Sequence, residues 1–366
     1  MKKVVLMSLE TTLLEWSPAK YQLLDELSSK GFETYLFLPG KLKNRKKYNS
    51  INYVINTEGM LNKDIRKKII DIAPNAVIAT IYIDTTVIYK LPYIMKNTSF
   101  YYYNLEICTP YLNKEVQKEN FRHYIKYKFK YPLYKYKEML YTRRVKAFSI
   151  QDRLRMRLSE KYHIKHSNVI LIPNSYVFDE TKIISEKQTG VVYTGGIKRD
   201  FFLKQMKNLG DVKRTPLTFS GRIDLWCKKE MKKIKNTNPD IELVEQILSI
   251  DDYTKYLQQF AVGLVWYSPL KEDQANYYIG LSSGKMFKHL SLGQPIIATK
   301  CPGITETVNK YKLGIVIDNI SELDDAYEEI MRNYIYYREN VIRIYRNRFD
   351  FKKVITPFIE CIDSTS

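Results

Sequence analysis

Cysteine and histidine are scarce, with four of each in 366 residues. Cys108, Cys227, Cys301 and Cys361 stand far apart without a C-x-x-C pair, which excludes a disulfide framework and the usual structural zinc sites. Only His163 and His166 are close to one another, and no cysteine lies nearby to complete a ligand set, so no metal site is expected. No two aspartates are spaced D-x-D, so the carboxylate pair that holds a divalent ion against a diphosphate is missing. Neither G-x-x-x-x-G-K-[ST] nor G-x-S-x-G occurs. No apolar run approaches the ~20 residues of a membrane span, and the chain enters a strand at Val4 to Leu6 rather than a signal peptide. A cytoplasmic location is the expectation.

Positive charge, by contrast, is abundant: 59 Lys and Arg against 40 Asp and Glu, a net +19. The excess sits in the first half, with 31 basic against 17 acidic residues in 1–180 and 28 against 23 in the remainder. It is densest in Lys114–Lys146, where basic residues and tyrosines alternate and only Glu115, Glu119 and Glu138 oppose them. Pro132 should break or kink the helical pattern there. Such a stretch suits an anionic membrane surface. Nucleic acid is the weaker alternative, and a solvated helix pair with inward tyrosines is the plain one.

Short apolar runs alternate with amphipathic stretches along the whole chain, the pattern of doubly wound parallel sheets. The first series runs from a strand at Lys3–Leu9, through a helix opened by Ser17 and Pro18, to strands at Glu33–Leu38, Ala76–Ile81, Ser99–Tyr103, Ala147–Ile150 and Val169–Ile172. Ligands of such sheets bind beyond the carboxyl ends of the strands. Glu10, Glu15, Asp84 and Glu106 follow strands, and Glu106 is the candidate catalytic base. A second series has strand ends at Gly195-Gly196 (with Lys198 following), at Ser220-Gly221 and at Tyr267. Further on, a helix capped by Ser321, with Asp324 completing a capping box, is expected.

The most informative stretch is Asn276–Glu306. Ser282 and Ser283 can cap a helix carrying Met286, Phe287 and Leu290, Gly293 can stop it, and Ile296–Thr299 is a buried strand. Free amides at the helix start, hydroxyls and Lys285 together suit a phosphate or diphosphate.

The run K-M-F-K-H-L-S-L-G-Q-P-I-I-A-T, Lys285 to Thr299, resembles the donor segment of the family-four-like glycosyltransferases of GT-B fold. F-S-I-Q-D-R-L-R at Phe148–Arg155 and I-P-N-S at Ile172–Ser175 are similar to the end of their acceptor domain. The resemblance implies two Rossmann-like domains facing a cleft. An acceptor domain, 1–180 with the basic insertion 114–146, precedes a nucleotide-sugar domain, 181–345, and residues 346–366 form a helix packing back on the first. It further implies that Lys285, Ser282 and Ser283 meet the donor diphosphate together with Gly195, Gly196 and Lys198, and that Ser220, Gly221 and Tyr267 line the donor pocket. The donor would be a nucleotide sugar, a UDP-sugar first of all, used without metal or other cofactor. The acceptor would be a saccharide or a lipid-linked one, met at the inner face of the plasma membrane. One departure is plain: the family's two-glutamate motif falls on Gly280 and Lys288. This leaves a catalytically inactive partner of the same fold as the second reading.

Overall fold

The computed structural model describes every residue except 11–16, 41, 43–47, 108–128, 163, 184–187, 198–207, 246–249, 272 and 366. The chain forms two compact units, Met1–Asn174 with Phe351–Ser366, and Ser175–Asp350.

The first unit is a seven-stranded parallel sheet in the order β3-β2-β1-β4-β5-β6-β7. Its elements are β1 (Lys3–Met7), α1 (Pro18–Ser29), β2 (Glu33–Leu38), β3 (Tyr53–Asn56), α2 (Asn62–Ile72), β4 (Ala76–Ile81), α3 (Tyr82–Ile88), α4 (Leu91–Ile94), β5 (Ser99–Glu106), α5 (Tyr131–Thr142), β6 (Ala147–Ile150), α6 (Arg153–Lys161) and β7 (Val169–Leu171). Every residue of β4 is buried, as a central strand covered by helices on both faces requires.

The second unit holds a six-stranded parallel sheet, β10-β9-β8-β11-β12-β13. It comprises β8 (Thr189–Thr194), β9 (Leu217–Ser220), α7 (Leu225–Thr237), β10 (Ile241–Val244), α8 (Ile250–Leu257), β11 (Phe260–Val265), α9 (Gln274–Tyr277), α10 (Gly284–Ser291), β12 (Ile296–Thr299), α11 (Pro302–Tyr311), β13 (Gly314–Ile317), α12 (Leu323–Arg332) and α13 (Tyr334–Ile344). A last helix, α14 (Phe351–Thr365), belongs to the first unit. There Phe358 meets the Tyr101 ring edge-on at 5.9 Å, and Lys2 pairs with Asp363 at 2.8 Å.

In each sheet the strand order reverses once, between β1 and β4 and between β8 and β11, and ligands of open α/β sheets bind at that point.

The structure departs from the sequence reading in several places. The units divide at 174/175 and 350/351, near the expected 180 and 345 but not at them. Tyr176, Phe178, Tyr345 and Phe349 pack with Phe287 in one core cluster of the second unit and carry their neighbours with them. Ser321 does not cap α12. Asn319 caps a 3-10 turn ahead of that helix, with Glu322 completing the box. Asp324 instead accepts from the Lys213 and Arg214 amides, at 2.8 and 3.1 Å, and from the Thr215 hydroxyl at 2.7 Å. The helices α3 and α4 were not anticipated, because Tyr82–Ile88 is rich in β-branched residues. Tertiary bonds override that preference: the buried Asp84 carboxylate takes the amides of Leu9, Thr80 and Ile81 and the Thr80 hydroxyl, pinning the chain as it leaves β4. Pro132 lies in the first turn of α5, where its missing N–H costs no bond. The earlier part of the basic stretch, 114–128, falls outside the described residues.

Candidate functional site

The crossover point of the second sheet is framed by the ends of β8 and β11, and α10 starts beside them. Its placement follows from close packing. Gly263 in β11 has no side chain, and a Cβ there would lie 2.2 Å from the His289 ring. The imidazole of His289, buried in α10, therefore rests on strand backbone. Its Nδ1 is 2.8 Å from Gln294 Oε1, while Gln294 Nε2 donates to the carbonyls of Leu257 and Phe260, both at 2.7 Å. With the amide nitrogen so occupied, Oε1 must accept, which puts the imidazole proton on Nδ1. Burial pushes the His289 pKa down to about 4, so the ring is neutral.

Ser283 is the cap of α10. Its hydroxyl accepts from the Met286 amide at 3.1 Å and shares a 2.9 Å hydrogen bond with the Tyr267 hydroxyl. The Tyr267 amide is in turn tied to Thr299 Oγ1 at 2.8 Å, so the ends of β11 and β12 are held together. Within the first turn of a helix the amides have no intrahelical acceptor, and Ser283 satisfies that of Met286. The Gly284 and Lys285 amides remain at the open helix end.

Lys285 extends from this turn towards β8. Its ammonium donates to the Tyr193 hydroxyl at 3.1 Å and lies 4.4 Å from the Tyr193 ring centre and 5.1 Å from that of Tyr267. Among the described residues no carboxylate pairs with it. Desolvation lowers its pKa, and the Tyr267 phenol offsets this in part. A half-buried cation at a helix start, flanked by two aromatic faces and with no carboxylate partner among the described residues, has the chemistry that suits an anion.

Gly195 closes the other side. Its φ of +132° is a conformation that glycine alone adopts readily, and a Cβ there would lie 2.9 Å from both Cε and Nζ of Lys285. Behind it, Gly221 (φ +137°) lies so close that its Cβ would meet the Gly195 carbonyl oxygen at 2.4 Å, and the Gly195 amide donates to Ser220 O at 3.0 Å. The two glycine turns are thus stacked against each other at adjacent strand ends.

Of the residues expected here, Gly195, Tyr267, Ser283 and Lys285 converge, with Ser220 and Gly221 supporting Gly195 from behind. Gly196 is exposed at the same turn. The Ser282 hydroxyl donates to Ile279 O, at 2.7 Å, in the 3-10 turn before α10. Lys198 lies outside the described residues. Lys288 is buried and donates to Thr254 Oγ1 at 2.6 Å, with its ammonium over the Tyr176 ring. Tyr193 is not among the residues the sequence points to. The sole sequence signal for it was its position two residues before Gly195.

In the first unit, Glu106 is the exposed last residue of β5, set opposite Ile81 across a shift in register. Burial pushes the Arg155 guanidinium down, and Asp152 and Glu106 partly offset this. At the crossover between β1 and β4, the fully buried Lys20 donates to Ser8 Oγ at 3.0 Å and pairs with Glu10. Glu15 lies outside the described residues. Among the described residues no group of three His, Cys, Asp or Glu side chains could hold a metal ion.

Several solved structures match along essentially the whole chain. HepE of Anabaena in complex with UDP-glucose superposes with a TM-score of 0.67 at 11% identity, covering all of both chains. The sucrose-phosphate synthase of Thermosynechococcus elongatus gives 0.69 at 11%, covering all of this chain and 99% of that one. WaaG, a glycosyltransferase involved in lipopolysaccharide biosynthesis, gives 0.64 at 12%, covering 98% and 99%. The chain has the GT-B fold. Within this GT-B chain, residues 191–348 match the family model described as glucosyltransferase 3-like, C-terminal domain. That span takes in Tyr193, Gly195, Tyr267, Ser283 and Lys285. No curated protein matches the chain in sequence.

Proposed function

We propose that the chain is a glycosyltransferase that takes a sugar from a UDP-sugar and passes it to a saccharide or lipid-linked acceptor in the synthesis of a surface polysaccharide or glycolipid. The observation that carries this is the Lys285 ammonium at the α10 start, facing the Gly195 turn and without a carboxylate partner among the described residues. A diphosphate supplies the missing negative charge. HepE, whose structures hold UDP and UDP-glucose, supports the choice of nucleotide for this reading.

In the reaction the bond between the anomeric carbon and the diphosphate oxygen breaks, and the departing UDP gathers negative charge. Lys285 and the helix amides stabilise that charge. An acceptor hydroxyl forms the new bond and gives up its proton. If the configuration inverts, Glu106 takes the proton. No metal is assigned a step, so chelation should leave turnover unchanged. The protein acts from the cytoplasm, held to the inner face of the plasma membrane by the basic part of its first unit. Turnover assayed against a panel of nucleotide sugars tests the reading.

A second reading, an inactive GT-B partner that binds the nucleotide without transfer, is favoured by Lys288. This residue stands where the resemblance implies a glutamate, and its side chain is spent on Thr254 and Tyr176. UDP binding with no turnover on any donor would select it.

A further inference from the structure

Three large apolar side chains are exposed along one line of the first unit: Phe129 (73%), Leu133 (49%) and Tyr136 (53%). Leu133 and Tyr136, three residues apart, share one face of α5, and Phe129 precedes them in the π-helical turn just ahead of that helix. The opposite face is the packed one, carrying the buried Glu138, Tyr141 and Thr142. Beside α5 lies α4, whose Tyr93 donates to Leu140 O at 3.3 Å and takes the Arg144 guanidinium over its ring at 4.8 Å. Next to Tyr93, Ile94 is itself 61% exposed. Monomeric soluble proteins seldom leave such a stripe open without a use for it.

The charge around the stripe decides what fits it. Lys135 and Lys137 lie on α5, Lys130, Arg143 and Arg144 stand at its two ends, and Lys90 and Lys96 flank α4. Only two acids occur in residues 82–104 and 129–147, Asp84 and Glu138, and both are buried. Asp84 is engaged by amides just beyond β1 and at the end of β4, and Glu138 accepts from the Tyr102 hydroxyl at 2.5 Å. Within these described stretches the face therefore offers apolar side chains within a rim of cations and no exposed carboxylate. An interfacial amphipathic helix has this make-up, its apolar side chains entering the headgroup–acyl boundary while flanking lysines and arginines meet anionic headgroups.

We propose that α4 and α5 form the face by which the first unit lies on an anionic bilayer, with Phe129, Leu133 and Tyr136 inserted. This rests on the peripheral location proposed above and adds that the attachment is partly apolar and built from these two helices. Among the described residues no helix is long and apolar enough to cross a membrane, so attachment from one side is the mode in question.

Flotation with phosphatidylglycerol/phosphatidylcholine vesicles and with phosphatidylcholine alone tests it, using the full chain and two variants. One variant carries Phe129→Ser, Leu133→Ser and Tyr136→Ser, and the other Lys130→Gln, Lys135→Gln and Lys137→Gln. The wild type should float with the anionic vesicles and keep part of its binding when salt is raised. The serine variant should bind roughly tenfold or more weakly and lose its salt-resistant part, and the glutamine variant should weaken at low salt. Both should still bind UDP, which shows that they fold. Equal flotation of wild type and serine variant overturns this surface while leaving the membrane location standing. Absence of wild-type flotation overturns both. A wild-type dimer seen by light scattering, abolished in the serine variant and accompanied by no flotation, would assign the face to a second copy instead.

Discussion

Gly195 and Lys285 occupy mutually exclusive space: a Cβ on the glycine would lie 2.9 Å from the lysine Nζ. The ammonium reaches its position between Tyr193 and Tyr267 only because the residue that follows β8 has no side chain. Gly195→Ala should therefore displace the lysine, and the φ of +132° adds backbone strain. UDP affinity should fall about tenfold or more, with the contact to the diphosphate loosened rather than abolished. Calorimetric titration checks this, and circular dichroism should show the fold retained.

Two buried titratable groups pull the stability of the two units in opposite directions with pH. Desolvation raises the Glu138 pKa to about 7, the hydrogen bond from Tyr102 offsetting part of the effect, so the folded first unit holds a proton that the unfolded chain releases above its ordinary 4.5. That contribution is fully present below about 4.5 and is lost as pH rises to about 7. It amounts to ~3 kcal/mol at most. Glu138→Gln should make the first unit more stable than wild type at pH 8 and no different at pH 4.5. His289 has the other sign: with its pKa lowered to about 4, mainly by burial, its contribution is present above about 6.5 and is lost as pH falls towards 4. Hydrogen exchange measured separately on peptides of the two units across this range should show the first unit loosening towards alkaline pH and the second towards acid.

Glu106 stands exposed at the end of β5, where a carboxylate can meet a substrate hydroxyl. In an inverting reaction Glu106→Gln keeps the size but removes proton acceptance, so turnover should drop ~10²–10⁴-fold with UDP binding unchanged. Product stereochemistry read by NMR accompanies the assay. Retained turnover with inverted product would move the role to Glu10, which is paired with the buried Lys20 at the β1–β4 crossover.

Much of this architecture is legible in the sequence, for a physical reason. Parallel strands buried on both faces read as short apolar runs, and Ala76–Ile81 or Ile296–Thr299 can hardly be anything else. The Ser283 cap and Lys285 were legible because a helix start carries its signature locally. What escaped was tertiary. Tyr193 joins the site only because β8 and β11 are neighbours in the sheet, a pairing absent from any local pattern. Asp324 looked like part of its own helix cap and instead holds the Lys213–Thr215 segment, more than a hundred residues earlier. Tyr82–Ile88 has the composition of a strand and is made a helix by the Asp84 carboxylate gathering amides from the end of β4 and from just beyond β1.

The central claim is that the second unit seats a nucleoside diphosphate on Lys285, and calorimetric titration of UDP into wild type and Lys285→Ala tests it most directly. The alanine variant removes a charge-assisted contact worth roughly 1.5–3 kcal/mol, so its affinity should fall by about one to two orders of magnitude with thermal stability little changed. Equal affinity in the two proteins, or no UDP binding by either, would contradict the account.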